Sequence, residues 1–163
     1  MKNVILIPPT PFKKRDYDRY GIKTLKKYFN VSIMDLSPWV YPQTWKSSLN
    51  DVYRTDGYIA INNKDDLLGF ILNLNCPIVI DRIQKNKKTN WVRTLLENKQ
   101  SVFVDLKLGD HPYANYDFHT KSKNLFKYIN KPKIFLERIV NYLEEKYYGK
   151  KIYTPNVTIF GGL

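Results

Sequence analysis

Short apolar runs alternate with amphipathic segments along most of this chain. Residues 4–7 (VILI) are a run of branched apolar side chains that ends at Pro8, Pro9 and Pro11, which lack backbone donors and cannot continue a strand. Residues 16–29 then have helical spacing, with apolar and aromatic side chains on one face and lysines opposite: Tyr17, Tyr20, Leu25, Tyr28 and Phe29. Residues 31–36 are the next strand-like run, so this stretch predicts a βαβ unit that opens a parallel sheet.

The same alternation continues to the end of the chain. Further strands are predicted at residues 58–61, 77–81, 101–106 and 157–160. Helices are predicted at residues 43–52, 64–74, 91–96 and 124–148, the second of them capped by Asn62 and Asn63. We therefore expect one Rossmann-like, three-layer α/β/α domain over residues 1–163, with a mainly parallel sheet of about six strands.

In open parallel sheets, ligands bind beyond the carboxyl ends of the strands. For the predicted order of elements, this rule selects residues 8–15, 36–45, 62–63, 81–88 and 105–119. Several of these segments carry Asp, Arg, Lys or Trp, so the expected binding face is polar and aromatic.

Charge narrows the range of partners. The chain has 27 Lys and Arg against 15 Asp and Glu, a net charge of +12, with 13 Tyr, 8 Phe and 3 Trp. Such a surface suits an anionic partner, which could be nucleic acid, a phosphorylated substrate or an acidic lipid headgroup. An AT-biased genome also enriches Lys, Asn and Tyr, so the excess can equally be compositional.

Several function classes are excluded by motifs that the chain lacks. It contains no G-x-G-x-x-G, no G-x-x-x-x-G-K-[ST] and no G-x-S-x-G. Cys76 is the single cysteine, which rules out an internal disulfide and a cysteine-rich zinc site, and we expect it to be a small buried side chain. Neither a signal peptide nor an 18-residue apolar run occurs, so we expect a cytoplasmic protein with at most peripheral membrane contact.

Two groups of charged residues at predicted strand ends are candidate ligand contacts. Residues 13–15 (KKR), beside Phe12, could bind a phosphate, although a charge run is also common on a solvated surface. Asp81, Arg82 and Asp105 could bind the hydroxyls of a ligand, whereas strand-end aspartates are also routine helix and turn caps.

Two further features leave alternatives open. The Asp110-His111 and Asp117-x-His119 pairs could hold a divalent metal, face a substrate or lie on a solvated loop, and their irregular spacing leads us to predict no metal site. Gly21 within the predicted first helix lowers helix stability by about 1 kcal/mol relative to Ala, and it could allow close approach to the sheet.

Two stretches of the chain resemble a known domain type. They are residues 1–38, which from position 4 read VILIPPTPFKKRDYDRYGIKTLKKYFNVSIMDLSP, and the later segment DGYIAINNKDDLLGFI. The pieces that match are Thr10-Pro11-Phe12, Arg19-Tyr20-Gly21 and Asp35-Leu36-Ser37-Pro38. They are similar to the N-terminal domain of GT-B-type bacterial surface-polysaccharide glycosyltransferases, which open with an apolar strand, a Pro-containing loop, a helix with R-x-G and a strand ending near DLSP. The alternation of strands and helices matches this domain over most of the chain, whereas the matching motifs are confined to residues 1–38.

This resemblance implies a two-domain enzyme in which the N-terminal domain binds the acceptor and a C-terminal domain holds the nucleotide-sugar. The second domain and its acidic donor-binding residues are missing here, so we expect the N-terminal half of a larger protein, or a stand-alone relative, that binds without catalysing. Neither a cofactor nor a catalytic residue is predicted. The expected partners are a glycan or lipid-linked sugar acceptor and the anionic inner leaflet of a membrane. The expected substrate-binding residues are Thr10, Phe12, Lys13, Arg15, Arg19, Trp39, Trp45, Asp81, Arg82, Asp105 and His111.

Two other function classes compete with this interpretation. A basic α/β nucleic-acid-binding module would use the cationic and aromatic residues for phosphate contact and base stacking, although no binding motif is recognisable. A response-regulator-like or flavodoxin-like signalling domain could use Asp81 as a phosphate acceptor, but Pro8 and Pro9 stand where such a domain needs an acidic pair.

Overall fold

The computed structural model describes residues 1–108, Leu143 and residues 156–161. The predicted helix at 124–148, apart from Leu143, and the predicted metal or substrate loop with His111, His119, Asp110 and Asp117 lie outside these residues.

The described residues form an α/β fold around a parallel sheet. The strands are β1 (Asn3–Ile7), β2 (Asn30–Asp35), β3 (Tyr58–Ala60), β4 (Ile78–Asp81), β5 (Val102–Leu108) and β6 (Val157–Gly161). The order across the sheet is β3-β2-β1-β4-β5-β6, and every neighbouring pair is parallel. Strands β1 to β5 belong to the continuous range 1–108, and β6 pairs with β5. The predicted α/β class and the parallel sheet flanked by helices are therefore confirmed.

The strand order reverses between β1 and β4. The chain first runs outward from β1 to β2 and β3, and it then returns to place β4 on the other side of β1. The backbone N–H of Arg82, directly after β4, donates to the carbonyl of Ile7 at 3.0 Å, so the ends of these two strands lie side by side. In an open parallel sheet, such a reversal opens a crevice at the carboxyl ends of the strands.

The helices are short and follow the strands in the chain. They are α1 (Lys14–Arg19), α2 (Ile22–Leu25), α3 (Ser37–Val40), α4 (Pro42–Ser47), α5 (Lys64–Leu72) and α6 (Lys87–Glu97), with a 3-10 turn at Leu49–Asp51. The prediction of one continuous helix over residues 16–29 was wrong, because Gly21 separates α1 from α2 with a left-handed φ of 60°. A Cβ on Gly21 would meet no atom within 4 Å, so backbone conformation and not close packing accounts for this glycine.

Alternate residues along the strands supply two separate apolar clusters. Ile5 and Ile7 pack with Leu67 of α5 and with Val92 and Leu96 of α6. Val4 and Leu6 pack instead with Phe12 and with Ile22 of α2. Successive side chains of a strand point to opposite faces, so helices cover both faces of the central strands. This packing holds the carboxyl ends of β1, β2 and β4 in fixed positions.

The prediction for Cys76 was wrong. Its side chain is exposed, and its backbone has a left-handed φ of 42° in the connection between α5 and β4. The turn into β4 therefore places the thiol outward, beside the side-chain oxygens of Asn75 at 3.4 Å and Gln100 at 3.6 Å. Among the described residues, no helix is long and apolar enough to cross a membrane.

Candidate functional site

The candidate site is the edge of the sheet where the parallel strands end. We call the segments that follow β1 to β4 there (residues 8–15, 36–41, 61–66 and 82–91), together with Asp105 of β5 beside the end of β4, the carboxyl edge. Helices α5 and α6 begin on it, because each follows a strand after a short connection. The edge contains most of the sequence-predicted binding residues that the structure describes.

Asp35 at the end of β2 is a buried anchor for three connections. Its Oδ2 accepts hydrogen bonds from the Phe12 backbone N–H at 3.0 Å and from the Tyr58 hydroxyl at 3.1 Å. Its Oδ1 accepts from the Ser37 N–H at 2.9 Å. A buried carboxylate needs such donors, and three of them stabilise the loop after β1, the start of α3 and strand β3 together.

Tyr58 is held in its neutral form by these surroundings. Burial raises the pKa of the Tyr58 phenol well above its ordinary value, and the nearby Asp35 carboxylate raises that pKa further. The hydroxyl is therefore a donor to Asp35 at neutral pH, which suits a structural role at the site.

Asp81 at the end of β4 forms a buried ion pair with Arg93 of α6. The two side chains are 2% and 3% exposed, and the Arg93 Nε donates to Asp81 Oδ2. Arg93 also donates to the Ile83 carbonyl at 2.7 Å and to the Thr89 hydroxyl at 3.2 Å. Its guanidinium therefore fixes the connection from β4 to α6, and Asp81 is occupied by an internal partner.

Arg82, the next residue, lies half-exposed at the strand reversal. Its Nη1 donates to Asp105 Oδ1 at 3.1 Å, and both side chains remain partly accessible to solvent. Burial raises the pKa of the Tyr20 phenol, which the neighbouring Arg82 guanidinium partly offsets. Arg82 therefore connects the end of β4 to Asp105 within β5 and to Tyr20, directly after α1, with part of its surface open to a ligand.

The basic run at the start of α1 is largely paired with carboxylates. Lys13 Nζ lies 2.9 Å from Asp51 Oδ2, and Lys14 Nζ lies 2.9 Å from Asp18 Oδ1. The hydrogen bond from Lys14 to Asp18 raises the pKa of the Lys14 ammonium. Arg15 differs, because its side chain is 81% exposed and its nearest Asp16 oxygen is 3.9 Å away.

Two tryptophans and two lysines form a separate group on the carboxyl edge. Trp39 of α3 and Trp91 of α6 meet edge to face, with ring centroids 6.0 Å apart. Lys64 Nζ lies 4.7 Å from the Trp91 ring, and Lys88 Nζ lies 5.6 Å from the Trp39 ring. We call Trp39, Trp91, Lys64 and Lys88 the indole–lysine cluster. Both indoles are half-buried against the apolar cluster below them.

Two buried hydroxyls near this group lack a hydrogen-bond partner among the described residues, those of Ser37 and Tyr41. The Asn86 side chain at the start of α6 is a polar neighbour of the Tyr41 hydroxyl. Burial raises the pKa of the Tyr41 phenol, and the nearby Arg93 charge opposes that rise. Unsatisfied buried hydroxyls are uncommon and suit a bound water or a ligand atom.

The structure brings some of the predicted site residues together and separates others. Thr10 is exposed after β1, and Arg82 contacts Asp105 where β4 ends. The prediction that Asp105 lies at a strand end was wrong, because β5 continues to Leu108. Phe12 has no exposed surface and belongs to the core, so its contribution is to support the loop. Arg19 is exposed at the end of α1, and Trp45 is half-buried on α4. His111 lies outside the described residues.

The sequence analysis missed part of the indole–lysine cluster. Trp91 was only the first residue of the helix predicted at 91–96, and Lys64 only the first residue of the helix predicted at 64–74. Lys88 and Trp91 are three residues apart in α6, a spacing that places them on one helical face and was the only local signal that they belong to one group. Trp39 and Lys64 reach this cluster because of the strand order in the sheet, so no local sequence pattern indicates their contacts.

Within residues 1–108 and 156–161, no group of His, Cys, Asp and Glu side chains could hold a metal ion. Comparison with known proteins found no family model, no curated protein and no solved structure that matches this chain.

Proposed function

We propose that this chain is the acceptor-binding domain of a GT-B-type glycosyltransferase in bacterial surface-polysaccharide biosynthesis, built as a Rossmann-like three-layer domain. The observation that carries the proposal is the strand order, which reverses between β1 and β4 and so opens a crevice on the carboxyl edge. Helices packed on both faces of the central strands support the three-layer arrangement.

The residues beside the reversal have the chemistry that a phosphate-linked sugar acceptor needs. Thr10 offers an exposed hydroxyl after β1, and Arg82 offers a half-exposed guanidinium after β4. Arg15 adds an exposed guanidinium with only a distant carboxylate. Guanidinium groups bind phosphate through paired N–H donors. The proposal assigns these residues to the acceptor and the nucleotide-sugar donor to a second domain.

The proposed location is the inner face of the bacterial membrane, where lipid-linked acceptors are elongated. A net charge of +12 would favour contact with anionic headgroups. This part of the proposal predicts that the chain binds vesicles containing anionic lipid and releases them as salt is raised.

Ligand-observed NMR tests the function directly. The probes are a short prenyl-diphosphate-linked monosaccharide, a UDP-sugar and a GDP-sugar. Binding of the prenyl-linked probe, weakened in Arg15→Gln and in Arg82→Gln and unchanged in Lys27→Gln, is the expected result. Lys27 is an exposed lysine after α2, so Lys27→Gln is the matched control that also removes one positive charge. Absence of binding by the prenyl-linked probe, or equal loss in all three variants, would overturn the proposal.

A basic nucleic-acid-binding module is the second candidate, and the net charge of +12 favours it. A short oligonucleotide added at two salt concentrations separates the two functions. Tight binding that falls steeply with salt, without any signal from the prenyl-linked probe, would support nucleic acid as the partner.

A further inference from the structure

Positive charge on the carboxyl edge is compensated unevenly. Lys13, Lys14 and Arg82 each have a carboxylate oxygen within 3.1 Å. In the part of the chain that the structure describes, Lys64 and Lys88 have no such partner. Their ammonium groups lie over indole rings instead, and Lys88 also donates to the Trp39 carbonyl at 3.2 Å.

The surroundings of Lys88 increase this local positive potential. Lys87 and Lys88 occupy the first turn of α6, and that turn contains no acidic residue. A helix dipole disfavours cations at this end, so the local sequence opposes a general rule of helix stability. On α5, by contrast, Asp65 and Asp66 follow Lys64, and the Asp66 carboxylate accepts from the Asn62 backbone and side chain.

We propose that the indole–lysine cluster is the subsite for the phosphorylated sugar of the ligand, an inference that rests on the proposed function. The phosphate binds the ammonium groups of Lys64 and Lys88, and the sugar ring lies with its C–H face against an indole. The lysines leave the ring faces when they turn to the phosphate, because a charge-assisted hydrogen bond is stronger than an exposed cation–π contact. This exchange uncovers the ring surface on which the sugar packs.

The Tyr41 hydroxyl adds an independent observation at the same place. Tyr41 packs with Trp39 and Trp91 on one apolar cluster, and its hydroxyl is buried without a hydrogen-bond partner among the described residues. A bound sugar hydroxyl, or a water beneath it, would satisfy this group.

The pattern of carboxylates favours a ligand with few phosphates over a long polyanion. Asp18, Asp51 and Asp105 lie beside Lys14, Lys13 and Arg82 and would repel a phosphate chain that extended over those cations. A sugar phosphate carries a single phosphate and so avoids this repulsion.

Tryptophan fluorescence provides a direct test, because the chain has three tryptophans and two of them are in the cluster. In a Trp45→Phe background, the emission reports on Trp39 and Trp91 alone. Glucose 1-phosphate should change the emission saturably, inorganic phosphate should do so more weakly, and methyl glucoside should have no effect. We expect Lys64→Gln and Lys88→Gln each to weaken the binding of glucose 1-phosphate about tenfold, because each variant loses one charged hydrogen bond to the phosphate. Lys27→Gln should leave the affinity unchanged.

Other results would reject the subsite. They are a lack of saturable change with glucose 1-phosphate, equal responses to glucose 1-phosphate and methyl glucoside, or equal weakening in Lys27→Gln. Circular dichroism of each variant checks that the fold is intact, which these exposed lysines should not affect.

The prenyl-linked probe separates failure of this inference from failure of the proposed function. If that probe binds and depends on Arg82 but is unaffected by Lys64→Gln and Lys88→Gln, the subsite is rejected and the acceptor function stands. If glucose 1-phosphate binds the cluster while the prenyl-linked probe binds nowhere, the subsite is supported and the acceptor function is rejected. Tighter binding of an oligonucleotide than of glucose 1-phosphate at the cluster would reject the sugar phosphate as its ligand.

Discussion

The backbone N–H of Phe12 donates a hydrogen bond to the Asp35 carboxylate at 3.0 Å, although 23 residues separate them in the chain. Both side chains are fully buried. The bond joins the loop after β1 to the end of β2. Because the same carboxylate accepts from Ser37 and Tyr58, one residue fixes the shape of the carboxyl edge on this side of the reversal.

Replacing Asp35 by Asn should destabilise the protein by about 1 to 3 kcal/mol, the usual cost of leaving a buried polar group unsatisfied. An amide has one acceptor oxygen, so its NH2 group would face one of the three donors. Urea unfolding should show a lower midpoint with an unchanged slope. The control is Asp65→Asn, which changes an exposed carboxylate in the first turn of α5. Equal midpoints for Asp35→Asn and the unmodified protein would show that this carboxylate is not an anchor.

The raised pKa of Tyr58 predicts that the folded protein loses stability at alkaline pH. Its pKa is raised in the folded protein by burial and by Asp35, so above about pH 10 the unfolded chain loses this proton first. The unfolded state then binds fewer protons than the folded state, and stability falls as pH rises. Tyr58→Phe lacks the hydrogen bond to Asp35 and should be less stable at pH 8 by about 1 kcal/mol.

The difference in unfolding free energy between the unmodified protein and Tyr58→Phe should narrow as the pH rises from 10 towards 12. Only the unmodified protein has the Tyr58 proton to lose. Urea unfolding of both at each pH measures it, and the shared titration of other groups cancels in the comparison. A constant difference across this range would contradict the raised pKa.

The fold was largely predictable from the sequence because it depends on local patterns. Each predicted strand overlaps an observed one, since branched apolar runs bounded by Pro, Asn or Asp are strong signals for buried parallel strands. The break between α1 and α2 was missed because Gly21 interrupts an otherwise regular helical spacing with a left-handed φ. The exposure of Cys76 was missed because composition does not reveal a turn that points one side chain outward.

The candidate site was less predictable, because it depends on which partner each charge finds. The sequence placed Asp81 and Arg82 together at a strand end, but it could not show that Asp81 is occupied by Arg93 while Arg82 stays half-exposed. Likewise, the lysines of α1 find carboxylates, whereas Lys64 and Lys88 find indole rings. These pairings are set by contacts between distant elements.

Three glycines should respond to alanine in a defined order. Gly69→Ala in α5 should stabilise the protein by about 0.5 to 1 kcal/mol, because the position is helical and a Cβ meets nothing within 4 Å. Gly21→Ala should destabilise it by about 1 to 2 kcal/mol through its positive φ alone. Gly57→Ala should cost more than Gly21→Ala, because its φ is 75° and a Cβ would lie 2.5 Å from the Val31 carbonyl oxygen. Thermal unfolding of the three variants tests the order, and a similar loss for Gly57 and Gly21 would contradict the close approach.

The buried Asp81–Arg93 ion pair should link the stability of the protein to the candidate site. Arg93→Met leaves the Asp81 carboxylate buried without its partner and should destabilise the protein by about 3 to 5 kcal/mol. Adding Asp81→Asn removes the orphaned charge, so the double variant should recover a substantial part of this loss. Recovery will be incomplete, because Arg93 also donates to the Ile83 carbonyl and to Thr89.

A double-mutant cycle by urea unfolding measures the coupling between Asp81 and Arg93, and additive losses would show that the ion pair is not the source of the stability. The same double variant tests the connection from β4 to α6. Because Arg93 holds that connection against α6, we expect the combined emission of Trp39 and Trp91 in the Trp45→Phe background to change even though neither substituted side chain is exposed. Unchanged emission would mean that the packing of α6, and not the guanidinium, positions the indole–lysine cluster.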